Sequence, residues 1–392
     1  MEQRMKLILS KLRANYKIDE KEIRITVGPG RVNLIGGHTD YNMGFVLPCA
    51  IDKDTMIAAA PNNTDTVNLF SINLNDSISF SLKSLEYDPQ DRWANYAKGI
   101  CFYLLEAGHE IGGIDGVLQG TVPIGSGMSS SAALEVSIGY IFQKLFNLDI
   151  SPKELAMIAY RAEREFIGVQ CGIMDQFVSV NGVRDSVIFL DCRSLDYEVI
   201  TMPSKDLQVV ILHTNVKRSA SSALNQRKNE CFEAVKLFQQ YDSSIEALRD
   251  VTPDFFEKHK DFLSPILRKR SQHIVYENQR VIDAKDALKQ EDLEELGKLM
   301  VESHRSLAKL YEVSSKELDA MIKISTDVQG VIGSRMTGAG LGGAVACIVE
   351  NEKVDDLIKA VYLRYPQLTN KKPITYICKI ADGVREVPLN EL

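Results

Sequence analysis

The segment Pro123-Ile124-Gly125-Ser126-Gly127-Met128-Ser129-Ser130-Ser131-Ala132-Ala133 interleaves glycine with serine and runs straight into a helical pattern. Glycines let the backbone approach a ligand closely, and a helix start offers unpaired N–H groups and a positive dipole end. With hydroxyl donors added, this combination suits a phosphate group, and the serines are possible magnesium ligands. The plain alternative is a flexible Gly/Ser linker, but a linker is rarely followed at once by an amphipathic helix. The segment is not a P-loop, which ends Gly-Lys-Ser/Thr, nor the dinucleotide fingerprint, whose glycine spacing differs.

Two further clusters carry chemical potential. Gly30-Arg31-Val32-Asn33-Leu34-Ile35-Gly36-Gly37-His38-Thr39-Asp40-Tyr41-Asn42 follows the strand-like IRITV (23–27) and supplies an arginine, a histidine and an aspartate able to grip hydroxyls and charge. Met336-Thr337-Gly338-Ala339-Gly340-Leu341-Gly342-Gly343 precedes an apolar AVACIV run. Alone, that third stretch specifies no more than a tight turn before a strand.

The elements that must position these clusters read as follows. Leu134, Ile138, Ile141, Phe142 and Leu145 draw one stripe on a helix that begins at the serines. A second helix is capped by Ser151, with Pro152 in its first turn and Glu154 three residues after the cap; its stripe runs through Leu155, Ile158, Ala159, Ala162 and Phe166. Ser271 to Leu288, Glu291 to Lys309 and Ser315 to Ile324 read as later helices. VNLFSINL (67–74), DSVIFLDC (185–192) and Val345 to Val349 read as strands. The pattern is α+β. A length of 392 residues suggests two lobes, with a boundary near Met202-Pro203-Ser204, hence 1–200 and 201–392.

Hydrophobic residues at 45% and charged residues at 25% are ordinary for a globular chain. A net charge of −7 argues against a surface that condenses on nucleic acid, so any bound anion needs a local site. No run approaches the ~20 apolar residues of a membrane span, and the N-terminus lacks a signal-peptide core, which predicts a cytoplasmic protein. The seven cysteines are scattered and contain no Cys-x-x-Cys pair, so neither a disulfide framework nor a zinc site is signalled.

The Pro-x-Gly-x-Gly-Met-Ser-Ser-Ser-Ala-Ala segment resembles the phosphate loop of the GHMP kinases, the family named for galactokinase, homoserine kinase, mevalonate kinase and phosphomevalonate kinase. The Gly30–Asn42 cluster is similar to the galactokinase signature Gly-Arg-Val-Asn-Leu-Ile-Gly-Glu-His-Thr-Asp-Tyr-Asn, departing only at Gly37. The third glycine stretch, Trp93-Ala94-Asn95-Tyr96, Cys171-Gly172-Ile173-Met174-Asp175-Gln176-Phe177, Tyr311-Glu312-Val313-Ser314 and Asp382-Gly383 extend the resemblance over almost the whole chain.

The resemblance implies a two-lobed fold, an N-terminal α/β lobe and a ferredoxin-like C-terminal lobe, with the active site between them. It implies transfer of the γ-phosphoryl group of ATP to the anomeric hydroxyl of a galactose-like sugar, by a monomer or weak homo-oligomer. Asp175 and Arg31 would be catalytic, the arginine keeping the aspartate ionised and stabilising developing charge. Gly37, His38, Asp40, Gly172, Asp175 and the position of Leu224 would line the sugar site. Trp93, Gly125, Ser126, Gly127, Ser129, Ser130, Ser131 and Ala132 would hold ATP. Glu163 with Ser130 would bind Mg²⁺, with Glu165 as the competing carboxylate.

Two of the family's sugar contacts are absent. A glutamate that meets the C6 hydroxyl is Gly37 here, and a tyrosine is Leu224. Leu341, Ala344, Ala381 and the segment Leu307-Ala308-Lys309-Leu310 also depart from the family pattern. A kinase for another sugar, particularly galacturonate, therefore stands beside galactose. A glutamate facing a C6 carboxylate would cost about 4 kcal/mol at ~4 Å for an effective dielectric near ~20. Lys217 and Arg218 are the cations that could face such a carboxylate. A sugar- and ATP-binding sensor without turnover is the remaining alternative, and the intact serine run and Arg31/Asp175 pair speak against it.

Overall fold

The computed structural model describes residues 1–216 and 220–389. The first part of the chain contains α1 (Glu2–Asn15), β1 (Arg24–Asn33), β2 (Phe45–Val46), β3 (Pro48–Pro61), β4 (Thr66–Ser71), β5 (Asp76–Ser81) and α2 (Ala94–Glu106). It continues with β6 (Ile114–Gly120), α3 (Ser130–Leu145), α4 (Pro152–Arg161), α5 (Met174–Asn181), β7 (Ser186–Asp191) and β8 (Tyr197–Thr201). The remainder comprises β9 (Leu207–His213), α6 (Ala220–Phe238), α7 (Pro253–His259), α8 (Pro265–Lys289), α9 (Leu293–Ser306) and α10 (Lys316–Thr326). β10 (Val331–Thr337), β11 (Ala344–Glu350), α11 (Val354–Thr369), β12 (Ile374–Cys378) and β13 (Arg385–Glu386) complete it.

β3 is buried on both faces, and its alternation shows how. Ile57 and Ala59 join a core closed by α2, α3, α4 and α5, while Met56, Ala58 and Ala60 join the layer under α1. The sheet runs β13-β1-β3-β6-β4-β5. The second sheet runs β10-β11-β9-β12, which is the ferredoxin-like strand order, and its core packs beneath α6, α8, α10 and α11. A third apolar cluster joins Val32, Leu34, Ile35 and Cys49 to Ile211, Ala344, Ala346 and Val281, fusing the two halves. The chain end returns to the first sheet, where β13 pairs with β1. The α+β class expected from sequence is the observed one, and the second sheet has the ferredoxin-like order expected of the later half.

Local signals explain the helix starts. The Ser151 hydroxyl accepts a hydrogen bond from the Glu154 N–H at 3.2 Å, with Pro152 in the first turn. The stripe extends to Phe166 as expected, but the helix changes character after Arg161. Residues Ala162–Phe166 form a π turn, and a second π turn, Leu307–Tyr311, follows α9. The first borders the cavity described next through Glu163, in keeping with the tendency of π turns to occur at functional sites.

Candidate active site

β1 carries the first functional side chain. Its register with β3 shifts between Pro29 and Arg31, a bulge that re-aims the strand. Gly30 permits it: a Cβ there would lie 2.5 Å from the Met128 carbonyl oxygen. The same carbonyl accepts the Arg31 backbone N–H at 3.1 Å, tying the glycine-rich loop to the strand.

Arg31, only 5% exposed, grips Asp175 bidentately, with Nε on Oδ1 at 2.6 Å and the second terminal nitrogen on Oδ2 at 2.5 Å. Its other terminal nitrogen donates to the Gly127 carbonyl at 2.6 Å. Asp175 sits in the first turn of α5 without capping it, and accepts a further bond from the Ser129 hydroxyl. One fork thus locks the glycine-rich loop, an arginine and a carboxylate together.

The loop has the form of an anion nest. Gly125, Gly127 and Ser129 have left-handed backbones, with φ of 76°, 84° and 58°, immediately before α3 begins at Ser130. Ser129 makes no side-chain cap, so first-turn N–H groups of α3 are left for a ligand.

Glu163, in the π turn, is 6% exposed and turned inward. Burial pushes its carboxyl up, as does Asp175, while hydrogen bonds from Ser131, Gln176 and Cys171 oppose the shift. Gln176 Nε2 bridges Glu163 Oε2 at 2.6 Å and Glu135 Oε2 at 3.0 Å. Burial drives Glu135 far above the usual carboxylate range. Glu165 instead faces outward to Tyr103 and Arg161, at 3.1 Å from each, and does not line the cavity. One carboxylate and nearby hydroxyls are a donor set that fits Mg²⁺, which keeps several waters and takes few protein oxygens. The hydroxyl drawn onto Glu163 is that of Ser131, with Ser130 also on the cavity wall.

A cavity of about 300 Å³ gathers these groups. Arg31, Gly37, His38, Asp40, Gly125, Ser126, Gly127, Ser129, Ser130, Ser131, Glu163, Gly172, Asp175 and Leu224 all line it. Ala132 does not, being wholly buried within α3. Trp93 lies in an adjoining apolar cavity with Tyr96, Leu118, Ile124 and Leu134, and the two cavities share Ser130 and Ser131. Its indole N–H is held by Asp76 at 3.0 Å. An apolar slot opening onto a phosphate loop suits a flat heterocyclic base.

Asp40 abuts Gly172 so closely that a Cβ on Gly172 would lie 2.3 Å from the carboxylate. Burial, then the neighbouring Asp175 charge, raises the Asp40 pKa to about 6. Burial, then His273 and Arg335, lowers that of His38 to about 3, so the ring is neutral. His38 Nδ1 meets the Tyr41 hydroxyl at 2.8 Å, which meets the Tyr311 hydroxyl at 2.9 Å, leaving the buried Nε2 without a partner.

Comparison with known proteins matches these features to one group. The GHMP kinases N terminal domain matches residues 95–183, the GHMP kinases C terminal domain residues 284–367, and the galactokinase galactose-binding signature residues 11–61. A galactokinase from a Roseiflexus species is 42% identical over 364 residues, 93% of each chain. The Bacillus subtilis galactokinase is 41% identical, covering 94% of this chain and 96% of that one. The chain belongs to the galactokinases of the GHMP kinase family. It is therefore a phosphotransferase with an alcohol acceptor. A crystal structure of Lactococcus lactis galactokinase complexed with galactose superposes with a TM-score of 0.93 at 35% identity, covering 98% and 99% of the two chains. A Methanococcus jannaschii mevalonate kinase at 21% identity and a TM-score of 0.63 shares the fold.

Within this family, the site also contains residues that sequence reasoning missed. Arg335 on β10 lines the cavity at 2% exposure. No strand was expected over 331–337, and only the packing of Met336 into the second core shows that Arg335 faces the other way. Lys217 and Arg218, expected as candidate cations, lie outside the described residues.

Proposed function

We propose that the chain transfers the γ-phosphoryl group of ATP to the anomeric hydroxyl of galactose, yielding galactose 1-phosphate. The observation that carries this reading is the Arg31–Asp175 fork bound to the phosphate loop through Gly127 and Ser129. Asp175 accepts or orients the proton of the attacking hydroxyl. Arg31 stabilises charge developing on the transferring group, and the α3 N-terminus holds the phosphates. His38, Asp40 and Gly172 orient the sugar, and Trp93 borders the adenine. Mg²⁺ held by Glu163 with Ser131 or Ser130 would neutralise phosphate charge. Among the described residues no helix is long and apolar enough to cross a membrane, and the seven cysteines are free, which suits a reducing cytosol.

The test is ADP release with galactose, galacturonate, N-acetylgalactosamine, arabinose and glucose in turn. Galactose is expected to give turnover; ATP and sugar binding without ADP release would make the chain a sensor instead.

Glu163→Gln is expected to raise the Mg²⁺ concentration for half-maximal rate severalfold, because Gln cannot supply an anionic oxygen. Glu165→Gln should leave the magnesium profile unchanged, as its side chain points away from the cavity. An unmoved profile in the first variant would take the metal away from Glu163.

Asp40 sets a pH limb. With its pKa raised to about 6, it is neutral below that pH and ionised above, where it accepts hydrogen bonds from sugar hydroxyls. kcat/KM for galactose should therefore fall as pH drops through about 6, since this ratio reports free-enzyme pKa values. Asp40→Asn should abolish that limb at a lower plateau. Persistence of the limb would assign it to another group.

A further inference from the structure

We propose that the wall formed by Gly37 and Arg335 receives a carboxylate carried by the sugar, so that the chain phosphorylates galacturonate as well as galactose. This inference rests on the sugar-kinase reading above and refines its substrate class.

Arg335 is a buried guanidinium with little to hold. One terminal nitrogen donates to the Asn33 carbonyl at 3.1 Å, and the buried Nε has no partner. Among the described residues it forms no ion pair. A buried cation in this condition is costly unless an anion or acceptor completes it.

The charges around it do not balance. Glu277 is the nearby anion, but its Oε2 binds Arg280 at 2.8 Å, and its Oε1 accepts the Gly36 and Gly37 N–H groups at 3.0 and 2.9 Å together with the Ser303 hydroxyl at 2.5 Å. Burial pushes the Glu277 carboxyl up, yet the Arg280 and Arg335 charges and the Ser303 hydroxyl outweigh this and hold it ionised. His273 donates to the Gly37 carbonyl, and burial drops its pKa to about 4, so it is neutral. His38 is neutral as well. One carboxylate thus faces two guanidiniums, and this wall carries one positive charge in excess.

Gly37 is what admits the arginine. A Cβ at position 37 would lie 2.5 Å from the Arg335 terminal nitrogen and 3.0 Å from Leu307. The guanidinium occupies the space in which a side chain at this position would begin. A glutamate there would displace Arg335 and neutralise it. Arg31, on the same cavity, is already committed to Asp175, so the Gly37–Arg335 wall is where an anionic substituent finds an unspent cation.

The experiment measures ADP release by the full chain with galactose and with galacturonate, for wild type, Gly37→Glu and Gly37→Gln. Wild type is expected to use galacturonate with kcat/KM within about tenfold of that for galactose. Gly37→Glu should lower the galacturonate value by ~100-fold or more, while lowering the galactose value by less than ~10-fold, a contrast of more than one decade. Gly37→Gln brings the same Cβ without the charge and should cost the two sugars alike, so the extra galacturonate loss in Gly37→Glu reads the charge. Robust galactose turnover without galacturonate turnover in wild type overturns the inference and leaves the galactokinase reading standing. Equal losses of the two sugars in Gly37→Glu also overturn it, because bulk rather than charge would then be decisive. Turnover of neither sugar by wild type removes the kinase reading itself.

Discussion

Asp175→Asn is expected to lower kcat by roughly 10²–10⁴-fold, the range associated with losing a positioned proton acceptor. Asparagine keeps the shape but cannot accept both guanidinium bonds that Asp175 takes from Arg31, nor take up a hydroxyl proton. The side chain lies at the first turn of α5 and does not cap it, so helix and core should survive. Circular dichroism and ATP binding by titration should match wild type while ADP release collapses. Near-normal kcat in this variant would remove Asp175 from the transfer step.

Arg31→Ala is expected to cost at least as much turnover and, unlike Asp175→Asn, to destabilise the fold. The alanine strands the Asp175 carboxylate and frees the Gly127 carbonyl that anchors the phosphate loop. Stranding a largely buried carboxylate costs about 1–3 kcal/mol, and the 21% exposure of the Asp175 side chain keeps the figure from rising further. Urea unfolding reads that loss directly. Arg31→Lys restores the charge but not the two-pronged geometry, so it should remain impaired in kcat. In the double variant Arg31→Ala, Asp175→Asn, the defect should be far smaller than the product of the two single defects, because residues that act as a unit are not additive. A multiplicative double defect would show that the two residues act independently.

The parts of the site that were legible in the sequence are those set by neighbours along the chain. The glycine–serine loop announces its own backbone geometry, and Ser151, Pro152 and Glu154 specify a helix start within four residues. The fold followed from the same signals combined with family resemblance. What the sequence did not disclose depends on contacts between distant segments. The Gly30 bulge is visible only in the register of β1 against β3. The π turn that buries Glu163 and leaves Glu165 outside has no local residue signature, so the two glutamates could not be separated by helical periodicity. Glu135, Gln176 and Glu163 come from three different segments and meet only after packing. Arg335 escaped notice because the face it occupies is decided by which side of β10 meets the second core. The hydroxyl beside Glu163 is the same kind of case: Ser130 and Ser131 are adjacent, and only the folded helix start brings Ser131 to Glu163.

The regiochemistry of phosphorylation tests the central claim most directly. Wild-type chain, ATP, Mg²⁺ and galactose should give a product whose ³¹P resonance couples to the anomeric proton of the sugar, with stoichiometric ADP. A phosphorus coupled to protons on any other carbon, or ADP release with inorganic phosphate and no sugar phosphate, would contradict the assignment of Asp175 and Arg31 to the anomeric hydroxyl.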